Sequence, residues 1–471
     1  MKSSYLPPRG LRRYLAGAAA ARAGDEMSGP ALLLLGLAVT GRPAAGSGLL
    51  AAVTVAGAIG GPVFGALLDR SRRPDRLLAG TLAAYALGII AVQAAAGRVP
   101  MPAVAAIALA AGLFSPAVAG GWTAQLPRIV TGRELARGSA LDALTYSAAS
   151  LAGPALAAVV AAGFGARPAV LTAAVLVALA GPAAYSLSRY LPGGPAMIAK
   201  EFQSGETEKA SRSCAAGQRR APGAARQRAQ RWKRVAGWQR ALGRQMAAGF
   251  AVIGTRRSLL RATVTSVVSY AGIGMLLACC PVLGGERLGA PARGALLISA
   301  MAAASLAANA ILARRPGRGQ PDTWVLASTL VIGAGVAAAA VAPGWLTVAA
   351  VALAGAGEGP QLTALFAVRH RETPASLRGQ VYTTAASLKI AGMAAGAALA
   401  GPLLAGTALA GPGLAGRPAA GCLLIAAGIE LSAAAAYLLS GLTRHGRQVP
   451  AAATAESARP GGAGGTAARS G

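Results

Sequence analysis

The sequence is poor in charge. Only 13% of its 471 residues are Asp, Glu, Lys or Arg, and the acids among them number 15. Soluble domains carry about a quarter charged residues, so an ordinary water-facing surface is excluded. Aromatic residues are also scarce, at 4%. With only His370 and His445, a histidine metal site is not expected. Cys214, Cys279, Cys280 and Cys422 lack metal-ligand spacing, and the adjacent pair is badly placed to bridge itself, so all four read as apolar filler. There is no Walker motif, which disfavours an ATP-driven pump within this chain. Neither cofactor nor metal is expected.

What is present is apolar sequence from end to end: 54% hydrophobic residues and a mean hydropathy of +0.52, resting on Ala, Leu, Val and Gly. Small residues of this kind suit helices packed closely in lipid. A helix that crosses a bilayer needs roughly 20 mostly apolar residues. Such runs lie near 15–40, 46–68, 77–97, 101–126, 139–163 and 167–188, and again near 258–283, 290–313, 323–342, 345–367, 379–405 and 419–441. The expected fold is therefore an all-α membrane protein of twelve transmembrane helices in two six-helix halves, 1–188 and 258–441. Between them lies a basic linker, 189–257, and after them a polar tail, 442–471, expected to be disordered. No cleavable signal peptide is expected, because Arg22, Asp25 and Glu26 interrupt the first apolar segment.

The net charge of +30 raises the question of nucleic acid, and its distribution answers it. Arg70, Arg72, Arg73 and Arg76 follow span two, Arg128, Arg133 and Arg137 follow span four, Arg314, Arg315 and Arg318 follow span eight, and Arg369, Arg371 and Arg378 follow span ten. The intervening loops hold only Arg42, Arg98, Arg167, Arg287, Arg293 and Arg417. Basic residues on alternate loops are what the positive-inside rule demands, and they place both termini in the cytoplasm. The linker adds 15 Lys or Arg against Glu201, Glu206 and Glu208. In it Trp232, Val235, Trp238, Leu242, Met246 and Phe250 recur at helical spacing among arginines, a pattern suited to an anionic membrane surface. Lipid is thus the expected partner of this charge, and no nucleic acid is expected.

One loop carries more than topology. After span two the chain reads Gly61-Pro62-Val-Phe-Gly65-Ala-Leu-Leu-Asp69-Arg70-Ser71-Arg72-Arg73-Pro74. This resembles the signature loop of the major facilitator superfamily, with Gly65, Asp69, Arg70 and Arg73 at matching positions. Arg72 stands where that family usually has glycine, and Pro74 replaces its last basic residue. The resemblance extends to the six-plus-six layout and the long central loop. A weak internal repeat agrees: Arg137-Gly138 opens span five and Arg378-Gly379 opens span eleven, 241 residues later. Gly65 permits close helix approach, Asp69 is placed to cap the amides that open span eleven, and Arg70 and Arg73 are expected to hold Asp69. The resemblance implies a latch between the halves on the cytoplasmic side. The plainer alternative is that these arginines only set topology.

Ionisable residues within a bilayer are costly and count as functional candidates. Arg22 faces Asp25 at i+3 and Glu26 at i+4, so one acid is expected to be neutralised within its own helix. Asp25, Glu358 and Lys389 each lie roughly eight to ten residues from the cytoplasmic end of their spans, about 12–15 Å deep at the helical rise. A proton- or substrate-coupling cluster of Asp25, Glu26, Glu358 and Lys389 follows, with a static Glu358–Lys389 pair as the alternative. Glu430 is expected to be peripheral. Gly153-Pro154 in span five resembles a degraded antiporter motif, or else marks a proline kink.

These features predict a monomeric secondary transporter in the cell membrane. Export of a small, drug-like or amphipathic molecule in exchange for protons is the activity expected of it. Uptake of a metabolite is the alternative, and a membrane-embedded enzyme or sensor a more distant one.

Overall fold

A computed structural model describes residues 8–187, 224–314, 319–404 and 418–442. Arg315, Arg318, Arg417, the linker before residue 224, the tail beyond Leu442 and the side chains of Trp232, Val235 and Trp238 lie outside what it describes. Among the described residues there is no β-strand, and helices account for nearly the whole chain.

The first group of long helices comprises α1 (Arg9–Thr40), α2 (Pro43–Arg70), α3 (Pro74–Ala95), α4 (Met101–Gly112), α7 (Arg133–Phe164) and α8 (Ala166–Tyr185). Short helices α5 (Gly120–Thr123) and α6 (Leu126–Ile129) lie between α4 and α7. A linker helix, α9 (Ala224–Thr255), leads to the second group. That group comprises α10 (Arg257–Leu288), α11 (Gly294–Arg314), α12 (Pro321–Val341), α13 (Leu346–Glu372), α14 (Arg378–Leu404) and α15 (Pro418–Leu442). Proline opens α2, α3 and α12 within the first two positions, where its missing N–H costs nothing. Gly41, at φ 67°, closes α1 in the left-handed conformation that glycine tolerates.

Ten of these helical segments are long and apolar enough to cross a membrane, counting Met101–Ile129 as one. α1 and α13 are as long, at 32 and 27 residues, but they carry Arg22, Asp25, Glu26 and Glu358, which lower their hydropathy. The helices therefore overlap the apolar runs of the sequence, although several extend beyond them, α13 as far as Glu372. The fourth, expected near 101–126, is interrupted: its helix ends at Gly112 and continues as a 3₁₀ turn and the short α5 and α6. Pro116 and Pro127 withhold backbone donors here, and the irregular backbone is tolerated because Pro116, Gly120, Gly121 and Trp122 are buried in protein rather than in lipid.

Within the first group α1 packs on α8, α7 and α2, and α3 on α8; within the second α10 packs on α14 and α15, and α13 on α12 and α11. One hydrophobic core is centred on Tyr14, Trp122 and Tyr85 of the first group and takes in Leu362, Phe366 and Tyr382 of the second, whose own core is centred on Met275, Leu276 and Val336. Large apolar side chains such as Ile59, Val159, Leu179, Leu346 and Leu439 point outward and are exposed, as a lipid-facing surface requires. α2 meets α14, and α7 meets α11 and α13, to join the groups.

Candidate functional site

Between the two helix groups lies a cavity of about 310 Å³. α1 brings Asp25 and Glu26 to it, α13 brings Glu358 and Arg369, and α14 brings Lys389. Tyr146, Tyr270 and Tyr382 complete the polar lining, and Ile273, Leu277, Met301 and Ile390 form an apolar wall. Four of the five charged residues singled out from the sequence therefore share one cavity.

Each acid accepts a hydrogen bond from a hydroxyl. Tyr85 donates to Asp25 at 2.7 Å, Ser150 to Glu26 at 3.1 Å and Tyr270 to Glu358 at 3.0 Å. The Lys389 ammonium lies 4.1 Å from the centre of the Tyr270 ring and 5.7 Å from that of Tyr146, where the electron-rich faces attract it. No ion pair joins Glu358 to Lys389; Tyr270 stands between them, bonded to one and stacked under the other.

Arg22 departs from expectation. It does not neutralise Asp25 or Glu26 but turns to α7, where it meets Asp142 at 2.9 Å. Its guanidinium also donates to the Asp142 carbonyl at 2.8 Å, to Thr123 at 3.0 Å and to Thr145, and it lies 3.6 Å from the centre of the Tyr146 ring. Asp142 receives further hydrogen bonds from Tyr14 at 2.8 Å and Thr123 at 2.9 Å. Both members are buried, at 1% and 0% exposure, so water cannot supply these bonds. Helical spacing offered Arg22 two acids on its own helix. The fold places a third on a neighbour, where Asp142 and the hydroxyls around it take up the two terminal nitrogens of Arg22.

On the side of the arginine-rich loops, the Gly65–Arg73 segment joins the two helix groups. Asp69 accepts the backbone N–H groups of Gly379 at 2.6 Å and Gln380 at 2.7 Å, which are the free donors of the first turn of α14. Gly65 lies against the same turn: a Cβ on it would approach Gln380 Cα and the Gly379 carbonyl to 2.6 Å. The arginines behave otherwise than expected. Arg70 donates to the Ala241 carbonyl of α9 at 3.4 Å, and both it and Arg73 are exposed. Positive charge beside Asp69 comes instead from Arg128 and Arg378. Above this latch Ser387 donates to the Gly57 carbonyl at 2.8 Å, Ser147 and Ser305 share a hydrogen bond at 2.9 Å, and Phe366 stacks between Tyr146 and Tyr382.

α9 reaches the same latch from outside, since Gln245 donates to the Ser376 carbonyl at 3.2 Å. Gly153 sits where α7 crosses α1 at Glu26, and α7 runs on unbroken through Pro154, which lines the cavity. Glu430 is wholly buried against Gly272 and Gly333, away from the cavity lining.

Asp142, Arg369, Tyr146 and Tyr270 belong to the cavity and its polar network but are not singled out by the sequence reading. Asp142 carried a usable signal, as an acid inside an apolar span. Arg369 was assigned to a loop, yet α13 continues past it to Glu372 and buries it to 2% exposure.

The chain belongs to the Major Facilitator Superfamily, whose family model matches residues 14–397. It is thus a multi-pass membrane transport protein rather than an enzyme. Solved structures of the same fold include the human organic anion transporter MFSD10, at 14% identity and a TM-score of 0.62 over 92% of this chain and 100% of that one. A bacterial homologue of the iron transporter ferroportin in its outward-facing state gives 15% identity and a TM-score of 0.63 over 92% and 100%. The E. coli fucose:proton symporter FucP gives 12% and 0.61 over 91% and 98%. At such identities these likenesses establish the fold. Comparison with curated proteins finds no match.

Proposed function

We propose that this protein is a proton-coupled exporter of a small amphipathic molecule, working by alternating access about the cavity between its halves. The observation that carries the reading is the enclosure of Asp25, Glu26, Glu358 and Lys389 in one cavity whose basic end is latched by Asp69 on α14. In this reading twelve spans form two six-helix halves in the cell membrane, with both termini in the cytoplasm. The latched end is then cytoplasmic and the conformation outward-facing. The linker, 189–257, lies along the cytoplasmic lipid surface.

Tyr270 gives the coupling a physical basis. While Glu358 is ionised it accepts the Tyr270 hydroxyl, and the ring of that tyrosine lies beneath the Lys389 ammonium. Protonation of Glu358 weakens the hydrogen bond and removes the negative charge nearest Lys389, which changes the charge that the cavity presents to a substrate. A proton bound at Glu358 therefore changes the affinity of the cavity for a charged solute, and the solute changes the affinity for the proton in return.

Purified protein in liposomes with an imposed pH gradient tests the reading. Substrates drawn from the resistance or secretion profile of cells lacking or overproducing the protein are expected to move against the proton gradient. Glu358→Gln is expected to retain facilitated exchange while losing gradient-driven accumulation. Accumulation by this variant at the wild-type rate and pH dependence rules out the coupling role. Flux in the direction of the protons reverses the assignment to uptake.

A further inference from the structure

The cavity satisfies its acids and leaves its cations open. Asp25, Glu26 and Glu358 each accept a hydrogen bond from a protein hydroxyl, and the two terminal nitrogens of Arg22, outside the cavity lining, are taken by Asp142, Thr123 and Thr145. Arg369 is different. It is 2% exposed, it lines the cavity, and its Nε and Nη2 have no hydrogen-bond partner. Among the described residues it is the one cavity-lining side chain with such orphaned buried atoms. Lys389, one helix away, is held by aromatic faces and forms no ion pair with Glu358. A buried guanidinium without acceptors is costly, and a protein retains one where a ligand completes it.

Nε and Nη2 form the side edge of the guanidinium, where two N–H bonds run parallel. That edge matches the two oxygens of a carboxylate, a fit that an ammonium cannot reproduce. Beside it Ile273, Leu277, Met301 and Ile390 offer an apolar surface. The volume of about 310 Å³ sits at the small end of the range for organic ligands.

We propose that the transported molecule is an amphipathic organic carboxylate, whose anionic group docks on the Nε/Nη2 edge of Arg369 with Lys389 as a second positive contact, while its hydrocarbon part lies on the apolar wall. This rests on the cavity being the transport site, but it concerns the ligand's charge and not the direction or coupling of flux.

The test is equilibrium binding to the full-length protein in detergent, which needs no transport. Radiolabelled octanoate, decanoate and phenylacetate are compared with octyltrimethylammonium. Saturable binding of at least one carboxylate, tenfold or more tighter than the cation, is expected. Arg369→Lys keeps the charge and loses the paired edge, so it is expected to weaken carboxylate binding about tenfold while Lys389 remains. Stronger binding of the cation, no saturable binding of any of the three carboxylates, or unchanged affinity in Arg369→Lys overturns the proposal. The wild-type comparison decides the matter even if the variant fails to fold. Arg369-dependent binding without flux in liposomes would leave the anion site standing and remove the transport reading. Flux of cations alone would do the reverse.

Discussion

Asp142 holds three donors besides its own helix: Arg22, Tyr14 and Thr123. All lie in a region that water does not reach, so their energetics are those of a buried ion pair. Removing one partner strands the other charge, at a cost of about 3–5 kcal/mol, whereas replacing both with apolar groups of similar volume is often close to neutral. Arg22→Leu is therefore expected to lower the thermal unfolding midpoint in detergent markedly. Arg22→Leu with Asp142→Leu is expected to recover most of the loss, with Tyr14 and Thr123 left short of one acceptor each. A double variant no more stable than the worse single one would show that the pair does more than balance charge. This pair also shows where sequence reasoning stops. That Arg22 sits in a membrane-spanning helix and needs an acid was legible from composition alone. Which acid it takes was not, because i+3 and i+4 spacing describes one helix, while the choice depends on how α7 crosses α1.

At the scale of the helix, boundaries were readable because their causes are local: apolar run length, proline at the first turn, arginine at the ends. Local signals also found the joint between α2 and α14. Glycine and aspartate four residues apart put a gap and an acceptor on one face of α2, and the start of α14 fits both. They misled about Arg70 and Arg73, whose solvated side chains were free to turn toward α9 or to water. The break after α4 was hidden for the opposite reason, since its stability comes from burial of Gly120 and Trp122 by other helices. The joint itself predicts a measurable shift. Asp69→Asn keeps one oxygen acceptor and turns an amide N–H₂ toward the second backbone donor, losing a charged hydrogen bond of about 1.5–3 kcal/mol. The equilibrium between latched and unlatched forms is then expected to move roughly ten- to a hundredfold. Gly65→Leu is expected to move it further, because the added side chain overlaps the first turn of α14. In a Thr383→Cys background, labelling by an impermeant maleimide from the arginine-rich side should rise in both variants. Thr383 is wholly buried beneath the latch, so unchanged labelling would mean that Asp69 and Gly65 do not hold this end closed.

Over the whole molecule, two groups of helices meet across a cavity, and the described contacts between them gather toward the end that carries the arginine-rich loops. Which compartment that end faces is a matter of charge, and the alternation of arginines along the chain bears on it directly. Loops near Arg72, Gly132 and Gly319 are expected on the cytoplasmic side, together with both termini. Those near Gly41, Gly97, Gly165, Gly289 and Gly344 are expected outside. Each of these glycines has a positive φ in a turn between helices, so a reporter fused there interrupts no span. Truncations ending at successive turns, fused to a reporter active only in the cytoplasm and to one active only outside it, should alternate without exception. α1 and α13 are the decisive cases, because their charges keep them, alone of the twelve proposed spans, outside the ten segments apolar enough to cross a membrane. If the Gly41 fusion reports the cytoplasmic side, where the N-terminus is expected, or the Gly344 fusion and one placed after Thr373 report the same side, that helix does not cross. The latched end would then lose its compartment, and with it the outward-facing assignment.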